Sequence, residues 1–218
     1  MDMRRKDKGK KMKNGLIIGG VKIMFTPEQI EDIRAAFIGK KDENKKRLED
    51  VAEGELFKLG KYEMIVLEHG VQGGTAVLFK ELYEDNVKFG ENNNFNGSNA
   101  ARKCLGFADK LAEIIGAENI ITHTVDLTSD DGLKDYVTVD CRASLLTADM
   151  YRKYVYILDK HKLDCWWWLA TAYSTPTHDD AEWVKCVSPA GDISISDYYD
   201  NSLGVRPFCI LKSDIFVS

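Results

Sequence analysis

The residues Cys165, Trp166, Trp167, Trp168, Leu169, Ala170 and Thr171 form the stretch on which the reading of this chain turns. Successive side chains of a β-strand point to opposite faces, so Trp166 and Trp168 can look one way and Trp167 the other. An apolar run without polar alternation reads as an interior strand buried on both sides, which makes Trp166, Trp167 and Trp168 structural residues. Downstream come a polar stretch over residues 173–182, a hairpin over 183–196, a second polar stretch over 197–202, and then Gly204, Val205, Arg206 and Pro207. The strand is therefore the floor on which two polar loops stand. Arg206, next to a proline that holds the chain extended, is expected to tie the end of the chain to a buried carboxylate or to carbonyls.

A chain of 218 residues with 44% hydrophobic content can bury one substantial core and a small appendage. The net charge of -5 argues against a nucleic-acid partner for the body of the protein. Seven basic residues, from Arg4 to Lys13, face only Asp2 and Asp7 in the first thirteen positions. Such a run reads as a flexible arm, here residues 1–25, with weak contact to nucleic acid or an acidic partner as its functional alternative. The apolar run that follows is broken by Gly15, Gly19, Gly20 and Lys22, which argues against a signal peptide, and no stretch is long enough to span a bilayer. The five cysteines are odd in number, include no C-x-x-C pair and have no histidine at ligand spacing. They read as reduced, buried thiols, with no metal site and no cofactor.

Thr26, Pro27 and Gln29 carry the signature of a helix start, a capping box with proline at the first helical position. Ile30, Ile33 and Phe37 fall on one face of that helix, and charge dominates from Lys40 to Glu55, so residues 26–53 read as an N-terminal helix and charged linker ahead of a domain over 54–218. From Phe57 the period changes to two. Phe57, Leu59, Met64 and Val66, then Ala76 to Phe79 beyond Gly73 and Gly74, predict a β-hairpin with a glycine turn. Ser98 or Asn99 caps a helix whose apolar positions are Ala101, Leu105, Ala108, Leu111 and Ile115, closed by Gly116. Extended pieces follow near 120–127 and 136–146. Between them, Asp126 to Gly132 invites a calcium reading, but Leu127 falls where a ligand is needed, and a turn that bonds its own backbone is preferred. Thr147 caps a second helix over 148–158, with Met150, Tyr154 and Ile157 toward the core.

The tryptophan strand, the polar middle, the hairpin of form V-x-x-x-G-x-[IL]-x over 187–195 and the Gly204 to Pro207 end resemble a domain family of unknown function found in prophages and gut Firmicutes. Residues 60–78, 123–136 and 144–154 also look like its prophage members. In the first core helix Phe95, Ser98, Ala101, Arg102 and Leu105 stand one residue out of the family's pattern. The resemblance covers roughly residues 55–218 and implies an α+β, C-type-lectin-like fold similar to that of formylglycine-generating enzymes: short antiparallel strands, two core helices, and here an N-terminal helical appendage.

The same resemblance extends to the variable proteins of diversity-generating retroelements, in which a rigid floor carries a hypervariable polar surface. It implies a non-enzymatic, prophage-encoded protein that recognises a protein or glycan ligand. Its recognition residues are expected among Tyr173, Thr175, Thr177, His178, Asp179, Asp180, Glu182, Trp183 and Lys185 on the first loop and strand. Asp197, Tyr198, Tyr199, Asp200 and Asn201 are expected on the second. Tyrosine gives large contact area at low entropic cost, and short polar residues adapt their hydrogen bonds. No membrane partner is expected; association of copies of the chain is compatible with this role, and the protein is expected to be made in the cytoplasm and to join the virion. Two alternatives remain at this point. One is an intracellular effector that binds a host or defence protein. The other is an oxidase using Cys165, Cys186 or Cys209, for which His178 and Lys185 are the only activating groups near Cys186 in sequence.

Overall fold

The computed structural model describes Gly15–Ile18, Val21–Met24, residues 26 and 28–29, and Lys45–Ser218, and the chain divides into two units, Met1–Asn44 and Lys45–Ser218. In the first unit, β1 (Gly15–Ile18) pairs antiparallel with β2 (Val21–Met24). Within the stretch expected to be a flexible arm, β-branched residues on either side of a Gly-Gly pair in the sequence carry this pairing. The capping box is formed, Gln29 N donating to Thr26 Oγ1 at 3.2 Å and Thr26 N to Gln29 Oε1 at 3.0 Å. The rest of the expected helix and the basic arm lie outside the described residues.

The second unit is mixed α and β, with antiparallel sheets and two α-helices. It begins at Lys45, not at residue 54. β3 (Lys46–Arg47) pairs with β15 (Phe216–Val217), and Leu48 and Val51 are wholly buried. The charged residues around these two anchors hide them from a composition reading, and their partners come from the far end of the chain.

Its main sheet contains β4 (Leu56–Leu59), β5 (Tyr62–Val71), β6 (Gly74–Phe79), β7 (Ile120–Ile121), β10 (Ala143–Ser144) and β14 (Phe208–Leu211), in the order β10-β14-β6-β5-β4 with β7 also on β14. The β5–β6 turn has Gln72 at φ 46° and Gly73 at φ 85°, the doubly left-handed turn whose twist matches a hairpin. Side chains alternate across this sheet into two cores. Met64, Val66, Val77 and Cys209 enter one, beneath α1 (Asn99–Ile115); Ile65, Leu67, Leu78 and Phe208 enter the other, beneath α2 (Ala148–Leu158).

Both caps are as the sequence predicts: Ser98 accepts from Ala101 N and Thr147 from Met150 N. The buried face of α1 is as expected at Ala108 and Leu111, with Ala101 and Ile115 packed partly buried against the core, and departs from expectation at Leu105. Ala100, Cys104, Phe107, Ala108 and Leu111 are buried, while Leu105 is 46% exposed. Phe107 decides the rotation by packing its ring against Tyr62, Phe79 and Tyr83 at 5.1–5.3 Å. In α2 the fully buried positions are Ala148, Tyr151, Tyr154 and Leu158, with Met150 and Ile157 packed at the edge.

A separate sheet holds β11 (Trp167–Ala172), β12 (Trp183–Val187) and β13 (Ile193–Asp197), while β8 (His123–Asp126) pairs with β9 (Thr138–Cys141). Trp168 enters the α1 core, its indole donating to Val87 O at 2.7 Å, and Trp167 enters the α2 core against Tyr151. The Gly204 segment covers the other edge of β11 through Trp168 N to Gly204 O at 3.0 Å and Gly204 N to Trp166 O at 2.9 Å. The two-sided burial expected of this strand holds for Trp167 and Trp168. Trp166 departs from it at 41% exposed, because it precedes the part of the strand that pairs with β12. Arg206 is 1% exposed and donates to the carbonyls of Phe79, Lys80 and His161 at 2.8–3.2 Å, with Trp167 5.2 Å away; burial lowers its guanidinium pKa to about 10. Among the described residues no helix is long and apolar enough to cross a membrane.

Candidate functional site

The two polar stretches emerge at the same end of the β11–β13 sheet, because Trp183 opens β12 directly opposite Asp197, which closes β13. Tyr173 N donates to Trp183 O at 3.0 Å and Tyr198 N to Glu182 O at 2.9 Å, so both loops are anchored on the start of β12. Register puts Trp183, Lys185, Ile195 and Asp197 on one face, and Tyr173 joins them beside Trp183. On that face Tyr173 is 38% and Ile195 39% exposed, and Trp183 is half-buried. Lys185 is buried. Its ammonium lies 3.1 Å from Asp130 Oδ2 and 5.7 Å from the centre of the Tyr173 ring.

The base of the first loop is held by the acidic turn that precedes β9. That turn bonds its own backbone as expected, Asp126 accepting from Thr128 N and Oγ1, and Gly132 N donating to Ser129 O. It also reaches across to the loop. Asp131 accepts from Ser174 Oγ at 2.6 Å and from His178 Nδ1 at 2.9 Å, and from Ser129 Oγ. Asp135 Oδ2 accepts from the hydroxyls of Thr175 and Thr177, both at 2.6 Å. Asp130 N donates to Ala172 O, while the Asp130 side chain joins Arg152 of α2 to Lys185 of β12. Beneath them the buried Asn93 donates to Ser174 O at 2.9 Å and Trp183 O at 3.2 Å and accepts the Tyr136 hydroxyl. Tyr173, Ser174, His178, Asp130, Asp131 and Asp180 enclose an open cavity of about 350 Å³.

Hydrogen bonds set the charge of this region. The hydroxyls of Ser129 and Ser174, with His178, hold the Asp131 carboxyl far below the usual carboxylate range, against a smaller opposing effect of burial. The Thr175 and Thr177 hydroxyls lower Asp135 in the same way. At Asp130 burial is the largest influence and works the other way, but Arg152 and Lys185 together overcome it and leave that carboxyl lowered.

In the second loop Asp200 accepts from Ser196 Oγ at 3.0 Å and Ser202 N at 2.8 Å, which fixes the turn. Tyr198 packs on the α1 core and meets the Tyr199 ring edge-on at 5.4 Å, leaving Tyr199 55% exposed. Negative charge on Asp197, together with a hydrogen bond to it, raises the Tyr199 phenol. Asn201 is exposed.

The residues expected to contact a ligand therefore fall into two groups. Tyr173, Asp179, Glu182, Tyr199 and Asn201 present exposed surface, with Trp183, Asp180, Asp197 and Tyr198 partly so. Thr175 and Lys185 are buried, and Thr177, His178 and Asp200 spend their side chains on internal bonds. These five side chains hold the loops, while Thr177 and His178 remain exposed and His178 also lines the cavity. Asp131, Asp135, Asn93 and Arg152 were not singled out from the sequence as parts of this region. The composition of the acidic turn marked it, but its partners lie about forty residues away in the chain.

Ser174, His178 and Asp131 have the residue types of a nucleophilic triad in another arrangement. Ser174 donates to the carboxylate and not to the imidazole, so His178 is not placed to take its proton as in such a triad. Cys186 and Cys209 are wholly buried, and burial pushes the Cys186 thiol up to about 12. Cys165 is half-buried with its thiol also raised, first by burial and then by the charges of Asp85 and Asp164. Thiols in such surroundings are poor nucleophiles.

No curated protein and no solved structure matches the chain. A family model does match part of it, and its span runs from β8 through the acidic turn, α2, the tryptophan strand and both polar loops to the end of β14. Residues 125–213 match the model of DUF6273, a domain of unknown function.

Proposed function

We propose that this protein is a non-enzymatic binding module, of prophage type, that displays the exposed part of the two polar loops on a C-type-lectin-like scaffold to recognise a protein or glycan. One observation carries the reading: Asp131, Asp135 and Asn93 pin the first loop from below through the buried Ser174 and Thr175 side chains and the Ser174 and Trp183 carbonyls. Tyr173 and Tyr199 are left facing solvent. A surface whose loops are ordered before the ligand arrives loses less entropy on binding, and exposed aromatics beside adaptable polar groups are how recognition surfaces gain contact area. The buried thiols and the order of the Ser174, Asp131 and His178 bonds favour binding over an oxidase or hydrolase.

The experiment is comparative capture. Wild type, a Tyr173→Ala/Tyr199→Ala variant and a Glu113→Ala control, on the exposed side of α1, are immobilised and exposed to host lysate and to a glycan array. The expected result is one protein or glycan class retained by wild type and control and lost by the double variant. Retention that ignores the double variant, or turnover of a captured molecule, would remove the proposal.

A further inference from the structure

A second cavity, of about 410 Å³, opens between α1 and β9 and shares no lining residue with the cavity under the polar loops. Phe95, Ala101, Leu105 and Val139 supply an apolar wall, and Arg102, Arg142 and Asp140 are its charged groups. The wall follows from the rotation of α1. Burial has gone to Cys104, Phe107 and Ala108, and Leu105 stands 46% exposed in an open concavity. Apolar surface left in water there is a standing driving force for a ligand that covers it. A cavity of this volume falls in the range of small-molecule sites, roughly 300–1,000 Å³.

The charged groups select the head of such a ligand. Arg142 donates to Asp109 at 2.6 Å and is thereby matched. Asp140 accepts the Thr124 hydroxyl at 2.6 Å. Among the described residues Arg102 donates only to neutral oxygens, Gly97 O at 2.7 Å and Asn99 Oδ1. Its planar fork has further N–H groups beyond these two bonds, in a geometry that suits a carboxylate. Asp140 in the same lining opposes a second negative charge on the guest.

We propose that this cavity binds a small molecule with an apolar body and a single carboxylate, the carboxylate on Arg102 and the body against Leu105 and Val139. The site is independent of the loop surface and of the function proposed for it.

Isothermal titration calorimetry of the full chain is run with octanoate and with octan-1-ol. Octanoate is expected to bind saturably, about tenfold or more tighter than the alcohol. Arg102→Gln, at an exposed position, should abolish the preference for octanoate while leaving binding of the alcohol. Leu105→Glu should abolish binding of both. Absence of saturable octanoate binding in wild type would overturn the proposal, as would an Arg102→Gln protein that still prefers octanoate or a Leu105→Glu protein that binds octanoate as wild type does.

Discussion

Replacing Asp131 by alanine removes three side-chain hydrogen bonds at once, two of which, from Ser174 and His178, are the only side-chain ties between that carboxylate and the first polar loop. A hydrogen bond to a charged group contributes about 1.5–3 kcal/mol when well sheltered. The Asp131 side chain is 29% exposed, so solvent reduces that, and Asp135 and Asn93 continue to hold the loop. A loss of about 2 kcal/mol in the free energy of opening the loop is the reasonable figure, equivalent to about thirtyfold in the opening equilibrium. The assay is native-state amide hydrogen exchange at Tyr173, His178 and Asp179, whose N–H groups bond to Trp183 O, Thr175 O and Pro176 O, with β12 amides as internal control. The expected result is about thirtyfold faster exchange in the loop with β12 unchanged. A loop change below about threefold would refute the idea that this carboxylate latches the loop. The pH dependence has a definite sign. The folded carboxyl titrates below its unfolded value of about 3.9, so its contribution is complete above that value and is lost as pH falls toward the folded one. Loop protection in the wild type should therefore decline from about pH 5 downward, and the decline should be shallower in Asp131→Ala, where Asp135 alone contributes.

Arg206→Met should lower stability by about 3 kcal/mol or more, seen as a lower urea midpoint at unchanged slope, because the Phe79, Lys80 and His161 carbonyls lose their common donor. Arg206→Lys should recover little of this, since an ammonium cannot reproduce the planar fork, and full recovery would show that charge alone matters there. In the folded protein iodoacetamide should label Cys165 first, react more slowly with Cys141, whose thiol burial pushes up to about 11, and spare Cys104, Cys186 and Cys209. All five thiols should react in urea, and modification of Cys186 in the native state would contradict the burial that pushes its thiol up to about 12.

Local patterns carried much of this fold into the sequence. Period-two apolarity with Gly73 marked the β4–β6 hairpins, Ser98 and Thr147 marked both helix starts, and the three tryptophans marked the two-sided strand. What escaped was set by partners distant in the chain. Leu48 and Val51 sit among charges and are buried only because the chain near Ile215 returns beside them, Leu48 N donating to Ile215 O. The face of α1 turns on Phe107 meeting three rings from other elements. The site shows the same division. The composition of the polar loops was legible, but whether Thr175 and Thr177 face a ligand or an internal carboxylate depends on where Asp135 arrives. No periodicity encodes that.

The adjacent tryptophans that enter opposite cores also have a consequence for how the domain comes apart. Trp167 and Trp168 share one peptide bond, so a displacement of that backbone unit disturbs the packing beneath α1 and beneath α2 together. The alternating residues of β5, β6 and β14 make the same link along the main sheet. Neither core can melt while the other keeps its wall, and unfolding of residues 45–218 is expected to be a single cooperative event, with both helices lost in the same transition.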